Sequence, residues 1–136
     1  MTERATLVDS NVLLDLFTRD PHWQEWSARH LAEAFDRGPV VLNQIVYAEI
    51  SLRFSTIEEL DDVLSTRFVR GNLPWAAGFL AARCFGDYRR RGGTRTSTLP
   101  DLFVGAHAAV LDMRLLSRDA GRYRTYFPTV ELISPE

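Results

Sequence analysis

Lysine is absent from the chain: all 16 basic residues are arginine. That excludes every mechanism that needs a catalytic lysine, including Schiff-base chemistry, the Walker A loop and the kinase strand lysine. It also argues against receiver domains and haloacid-dehalogenase-like phosphatases, two acid-rich α/β classes that use a lysine. Cysteine occurs once, at Cys84, so there is no intrachain disulfide and no cysteine-rich zinc site. A reduced, cytoplasmic setting follows as the expectation. No apolar run approaches the ~18 residues of a membrane span, and no basic region leads into an apolar stretch near the start, so neither membrane nor leader is expected.

The 136 residues, 46% apolar and 25% charged, suit one globular domain over 1–136. The net charge of −2 hides an asymmetry. Residues 1–88 carry eight arginines against thirteen acids. Residues 89–124 carry eight arginines against Asp101, Asp112 and Asp119. A basic segment of that kind can meet a polyanion.

Ala5-Thr6-Leu7-Val8-Asp9 reads as a short apolar strand ending in an acid, Val40-Val41-Leu42 as a second buried strand, and 114–117 and 130–133 as two more. Between them lie helical patterns at 11–17, 22–37, 44–54, 56–65, 74–91, 100–111 and 119–124. The second has apolar residues at Trp23, Trp26, Leu31, Ala34 and Phe35. The third has Ile45, Ala48 and Leu52 on one side. Thr56 and Glu59 form a capping-box pattern, and Gly92 to Thr98 is the one flexible, polar stretch. Strands alternating with helices predict an α/β fold, a central parallel β-sheet flanked by helices.

In open α/β sheets, sites lie at the carboxyl ends of the strands. Asp9 ends the first strand and Asp119 follows the 114–117 strand, so both face one rim. Asp101 follows Pro100 at a helix start, where the dipole favours negative charge. Glu49 lies within an apolar helix, where an unpartnered carboxylate is costly. Two like charges ~4 Å apart repel by roughly 4 kcal/mol at an effective dielectric near 20. A divalent cation would relieve that, and an oxygen-only donor set suits Mg²⁺ or Mn²⁺ over zinc. The competing account makes Asp9 a helix cap, Asp101 a first-turn residue and Asp119 a turn residue. Glu49 fits it least.

At these residues the sequence resembles the PIN-domain family, and within it the VapC-type ribonuclease toxins of toxin–antitoxin pairs. The resemblance rests on Leu7-Val8-Asp9-Ser10-Asn11, Tyr47-Ala48-Glu49, Pro100-Asp101-Leu102 and Leu115-Leu116-Ser117-Arg118-Asp119 in order along the chain. It departs only at Ser117, where threonine is common. The resemblance implies a PIN-like α/β/α sandwich and an Mg²⁺/Mn²⁺-dependent endoribonuclease in which metal-activated water cleaves RNA phosphodiesters. It implies Asp9 and Asp101 as direct metal ligands, completed by Asp119 and Glu49. Asn11 and Ser117 would orient the carboxylates, or make only local turn and cap bonds. It further implies a small VapB-like antitoxin partner, docked near Trp23, Trp26 and the 44–65 helices, and a homodimer. The rival readings are a PIN nuclease of RNA processing or DNA repair without an antitoxin, and an inactive PIN-like interaction module.

Arg95, just before Asp101, is the first RNA-contact candidate; Arg118, Arg122 and Arg124 could line the rim. Arg89-Arg90-Arg91 suit a helix C-terminus, with phosphate contact as the alternative. His107 points about 120° away from Asp101 on one helix, so a shared ligand role is not expected. His22 and His30 read as surface on the second helix. Asp15, Asp61, Asp62, Asp87 and Asp112 read as solvated, and Cys84 as a buried small residue.

Overall fold

The computed structural model describes residues 4–96 and 99–135. Ser97 and Thr98, the end of the expected polar stretch, lie outside them. The order is β1 (Thr6–Val8), α1 (Ser10–Phe17), α2 (Gln24–Arg37), β2 (Val40–Leu42), α3 (Gln44–Ser51), α4 (Ile57–Leu64), β3 (Phe68–Arg70), α5 (Trp75–Arg90), α6 (Pro100–Val110), β4 (Arg114–Leu116), α7 (Gly121–Tyr126) and β5 (Leu132–Ile133).

All strand pairings are parallel, in the order β3-β2-β1-β4-β5. The chain steps outward from β1 to β2 and β3, then returns to the other side of β1 for β4 and β5. The helices cover the sheet in two groups: α1 packs on α2 and α3, α6 packs on α5 and α7, and the groups meet where α3 touches α6. Burial on both faces explains why β2 and most of β1 and β4 are apolar: Leu7, Val8, Val40, Leu42, Leu115 and Leu116 anchor the core. No helix among the described residues is long and apolar enough to cross a membrane.

β3 was not anticipated. It is an edge strand with only Phe68 half-buried, against the Phe35 ring, so it carries no apolar run. α3 also buries a different face from the one expected. Val46 and Ile50, four residues apart, point to the core; Ala48 is exposed and Leu52 lies beyond the helix end in solvent.

The helix starts are set by side chains. Asp9 caps α1, Asn43 caps α3 through Val46 N–H (3.0 Å) and Thr56 caps α4 through Glu59 N–H (3.2 Å). Glu59 closes its half of the capping box on Ser55 N–H, one residue earlier than the usual position. Pro100 occupies the first turn of α6, where its missing N–H costs nothing.

Candidate functional site

Because β1 and β4 are adjacent and parallel, their carboxyl ends coincide: Val8 registers with Leu116. The next residues are Asp9 and Ser117. The reversal of strand order falls between these two strands, which is where crevices form in open sheets. A cleft of about 370 Å³ opens there, lined by Asp9, Asn11, Glu49, Arg95, Asp101, Asp119, Arg122 and Tyr123 among others. That volume lies within the range of small-ligand sites, ~300–1,000 Å³.

Asp9 is 7% exposed and accepts three hydrogen bonds. Ser10 N–H donates to Oδ1 at 2.8 Å; Ser117 Oγ and Tyr123 OH donate to Oδ2 at 2.9 and 2.7 Å. Burial raises its pKa above the usual carboxylate value. The three donors oppose that, and the charge of Asp101 adds to it. Glu49 reaches the cleft from α3 and accepts the Ser10 hydroxyl at 3.1 Å. Its pKa is also raised, first by burial, then by the charge of Asp9 and more weakly of Asp101. Asp9, Glu49 and Asp101 are thus within electrostatic reach of one another.

Asp101, at the start of α6, accepts Arg122 Nη1 at 2.9 Å on Oδ2. Its Oδ1 is buried and has no partner among the described residues. Asp119 lines the same cleft from its exposed rim, and its Oδ1 faces Gly121 N–H at 3.4 Å. Three expected acids therefore converge, and the fourth stands at the edge. Among the described residues, no three His, Cys, Asp or Glu side chains already stand together as a metal-holding group.

Asn11 does not touch an acid. Its amide donates to Ser117 Oγ (3.1 Å) and accepts Arg118 N–H (3.2 Å), which braces the hydroxyl that meets Asp9. Arg95 lines the cleft and is exposed. Arg118 is held differently from a free RNA contact: Nε donates to Asp15 Oδ2 at 2.8 Å, and the guanidinium lies over the Trp23 ring.

Asp15, expected in solvent, is 2% exposed. It faces inward from α1 and is satisfied by Arg118 and by the Ser27 hydroxyl at 2.8 Å. Its setting, Leu13-Leu14-Asp15-Leu16-Phe17, carries the same signal that singled out Glu49. His22 precedes α2, and His30 is half-buried against Trp26. The Arg89–Arg91 run is engaged locally: Arg89 on the Arg95 carbonyl, Arg90 on Asp87, Arg91 over the Tyr126 ring.

Sequence reasoning missed Ser10 and Tyr123. Burial and the neighbouring Asp9 charge push the Tyr123 phenol pKa well above its usual value, so it serves as a fixed proton donor to Asp9. Tyr123 is 114 positions from its partner, and an aromatic residue in a short helix reads only as core.

A family model described as PIN domain matches residues 6–128. The fold is similar to that of three solved structures. VapBC2 from Rickettsia felis, bound to a promoter DNA fragment, matches at TM-score 0.74 and 14% identity over 97% of this chain and 99% of that one. VapBC-1 from nontypeable Haemophilus influenzae matches at 0.71 and 15%, over 96% and 97%. A toxin–antitoxin complex from Klebsiella pneumoniae matches at 0.68 and 17%, over 96% and 98%. Among curated proteins, none matches the sequence.

Proposed function

The chain belongs to the PIN-domain family, and on that footing we propose that it is a divalent-metal-dependent endoribonuclease, the toxin of a VapBC-type toxin–antitoxin pair. One observation carries the chemistry. Asp101 keeps a buried carboxylate oxygen without a partner, in a cleft it shares with Asp9, Glu49 and Asp119. An unpartnered buried acceptor beside other carboxylates fits a cation, and all-oxygen donors fit Mg²⁺ or Mn²⁺. Asp9 and Asp101 would hold the ion, with Asp119 and Glu49 completing the set.

A cation bound there supplies a lowered pKa to coordinated water and neutralises charge on the phosphate. The chain's own residues do the rest. Ser10, Ser117 and Tyr123 fix the Asp9 carboxylate in one orientation. Glu49, whose pKa is raised by burial and the neighbouring Asp9 charge, is suited to take a proton on Oε2, since Oε1 is engaged by Ser10. Arg95 and Arg122 stand where RNA phosphates would enter.

The antitoxin reading draws on the toxin–antitoxin complexes whose fold this chain shares. It is supported by a groove along α3 and α4 lined by Tyr47, Phe54 and Leu60, with Leu52 and Ile57 exposed nearby. Such a groove suits the apolar anchors of a peptide. A homodimer is supported by α5, whose outer face exposes Trp75 (96%) and Phe79 (64%). A cytoplasmic setting completes the proposal.

The deciding experiment pairs Mn²⁺ titration with RNA cleavage by wild type and Asp101→Asn. Cleavage and Mn²⁺ binding should both be lost in the variant while its circular dichroism is unchanged. Full cleavage by Asp101→Asn would overturn the assignment.

A further inference from the structure

His107 is fully buried on α6, six residues beyond Asp101, and Asn43 caps α3 six residues before Glu49. The two side chains meet at 3.1 Å between Asn43 Nδ2 and His107 Nδ1. The orientation of the amide is fixed by its other end, because Asn43 Oδ1 already accepts Val46 N–H at 3.0 Å. Nδ2 can only donate, so His107 Nδ1 must be the unprotonated nitrogen. The ring is neutral with its proton on Nε2. Burial pushes the imidazole pKa down, the same direction.

Nε2 is buried and has no partner among the described residues. The loop after β3 closes over the ring: a Cβ on Gly71 would lie 3.8 Å from His107 Cε1 and only 2.7 Å from Val41 Cγ1. The core thus tolerates an unsatisfied donor to keep this pair, where two apolar side chains would pack at less cost. Apolar contacts are non-directional and let helices slide; a hydrogen bond of fixed geometry does not.

What the pair joins is specific. α3 and α6 are the helices that bring Glu49 and Asp101 to the cleft, and they pack against each other. Each acid lies about 9 Å along its helix from the junction. We infer that the Asn43–His107 hydrogen bond is a positioning strut that sets the axial register of α3 against α6, and so the separation of Glu49 from Asp101 in the metal-binding cleft. Neither residue touches the substrate or the ion. The inference rests on the metal-dependent reading above.

The test measures Mn²⁺ affinity of the full chain by calorimetry, beside the melting temperature, for four variants. His107→Leu removes the acceptor and keeps most of the volume. Asn43→Ser keeps a helix cap and removes the donor. Each should weaken Mn²⁺ binding about tenfold, as lost outer partners of metal ligands do. The double variant should be no worse than either single, since one bond is removed in all three. His107→Asn presents an amide oxygen near the Nδ1 position but leaves a cavity; it should melt lower than His107→Leu yet bind Mn²⁺ nearly as wild type. A purely structural role would instead make affinity follow melting temperature across the series, and that result overturns the strut. So does unchanged binding in His107→Leu and Asn43→Ser when Asp101→Asn abolishes it. If wild type binds no Mn²⁺ through Asp101, the metal reading itself fails and takes the strut's role with it.

Discussion

Asp9 accepts three hydrogen bonds in a place where its charge is poorly solvated. Burial outweighs the donors, and the nearby Asp101 charge adds to burial, so its folded pKa lies above the ordinary value. The folded protein therefore holds the Asp9 proton more tightly than the unfolded chain does. As pH rises through the interval between the two pKa values, the unfolded chain releases its proton first and stability falls. Above the folded pKa that loss is complete. Glu49 acts in the same sense. Asp9→Asn has no charge to desolvate, and asparagine still caps α1. The Tyr123 hydroxyl can turn to accept from the new amide, while Ser117 Oγ, which already accepts from Asn11 Nδ2 and Asp119 N–H, can turn its proton to the Asp119 carbonyl at 3.2 Å. In metal-free buffer the melting temperature of Asp9→Asn should gain on wild type as pH rises through and above the ordinary carboxylate pKa. Scanning fluorimetry across that rise measures it; a constant difference would show that Asp9 does not titrate differently on folding. A second outcome concerns Glu49→Gln. It should lose most cleavage while retaining RNA binding at low salt, read by a cleavage assay beside a filter-binding assay.

Helix α6 presents Asp101 at one end and His107 near the other, and its placement depends on a close approach. A Cβ on Gly105 would lie 2.3 Å from Cε2 of the buried Phe127 ring. Ring and backbone cannot both stay. Gly105→Ala should destabilise by about 1–2 kcal/mol, overpacking outweighing the helix propensity that alanine gains. Urea unfolding measures it, and an unchanged midpoint would mean that the ring yields freely. Elements of this molecule were readable from sequence where burial on both faces imposed an apolar run, as in β2 and most of β1 and β4. β3 escaped notice because an edge strand with Val69 and Arg70 exposed has no such run. Asp9, Asp101 and Asp119 were readable because strand and helix ends place them, and Glu49 because a carboxylate inside an apolar helix needs a partner. Their supports were not: Tyr123 and Ser117 meet Asp9 across more than a hundred positions, and Arg118 meets Asp15 across as many. Asp15 itself was readable by the rule that found Glu49, a charge among apolar residues that needs a partner.

At the scale of the whole molecule, the outer face of α5 exposes two large aromatic side chains, Trp75 and Phe79. Trp75 projects beside a hollow lined by Leu73, Pro74 and Gly78 on that same face. A knob and a hollow on one surface suit two copies related by a two-fold axis. Trp75→Asp should lower the mass seen by sedimentation at micromolar concentration and leave the melting of the protomer nearly unchanged, because the side chain touches no core. An unaltered mass would place the contact elsewhere. The sheet order bears on how such a molecule is made. β1 leaves the ribosome first, yet it sits in the middle of the sheet and needs β4, more than a hundred residues later, to cover its second edge. Until residue 123 has emerged, Asp9 lacks the full set of hydroxyls from Ser117 and Tyr123, and Asp101 has no fixed place beside it. Contacts of such long sequence separation also form slowly. A growing chain therefore lacks the assembled acidic cleft, and whatever chemistry the cleft performs waits until β4 and α7 have joined β1.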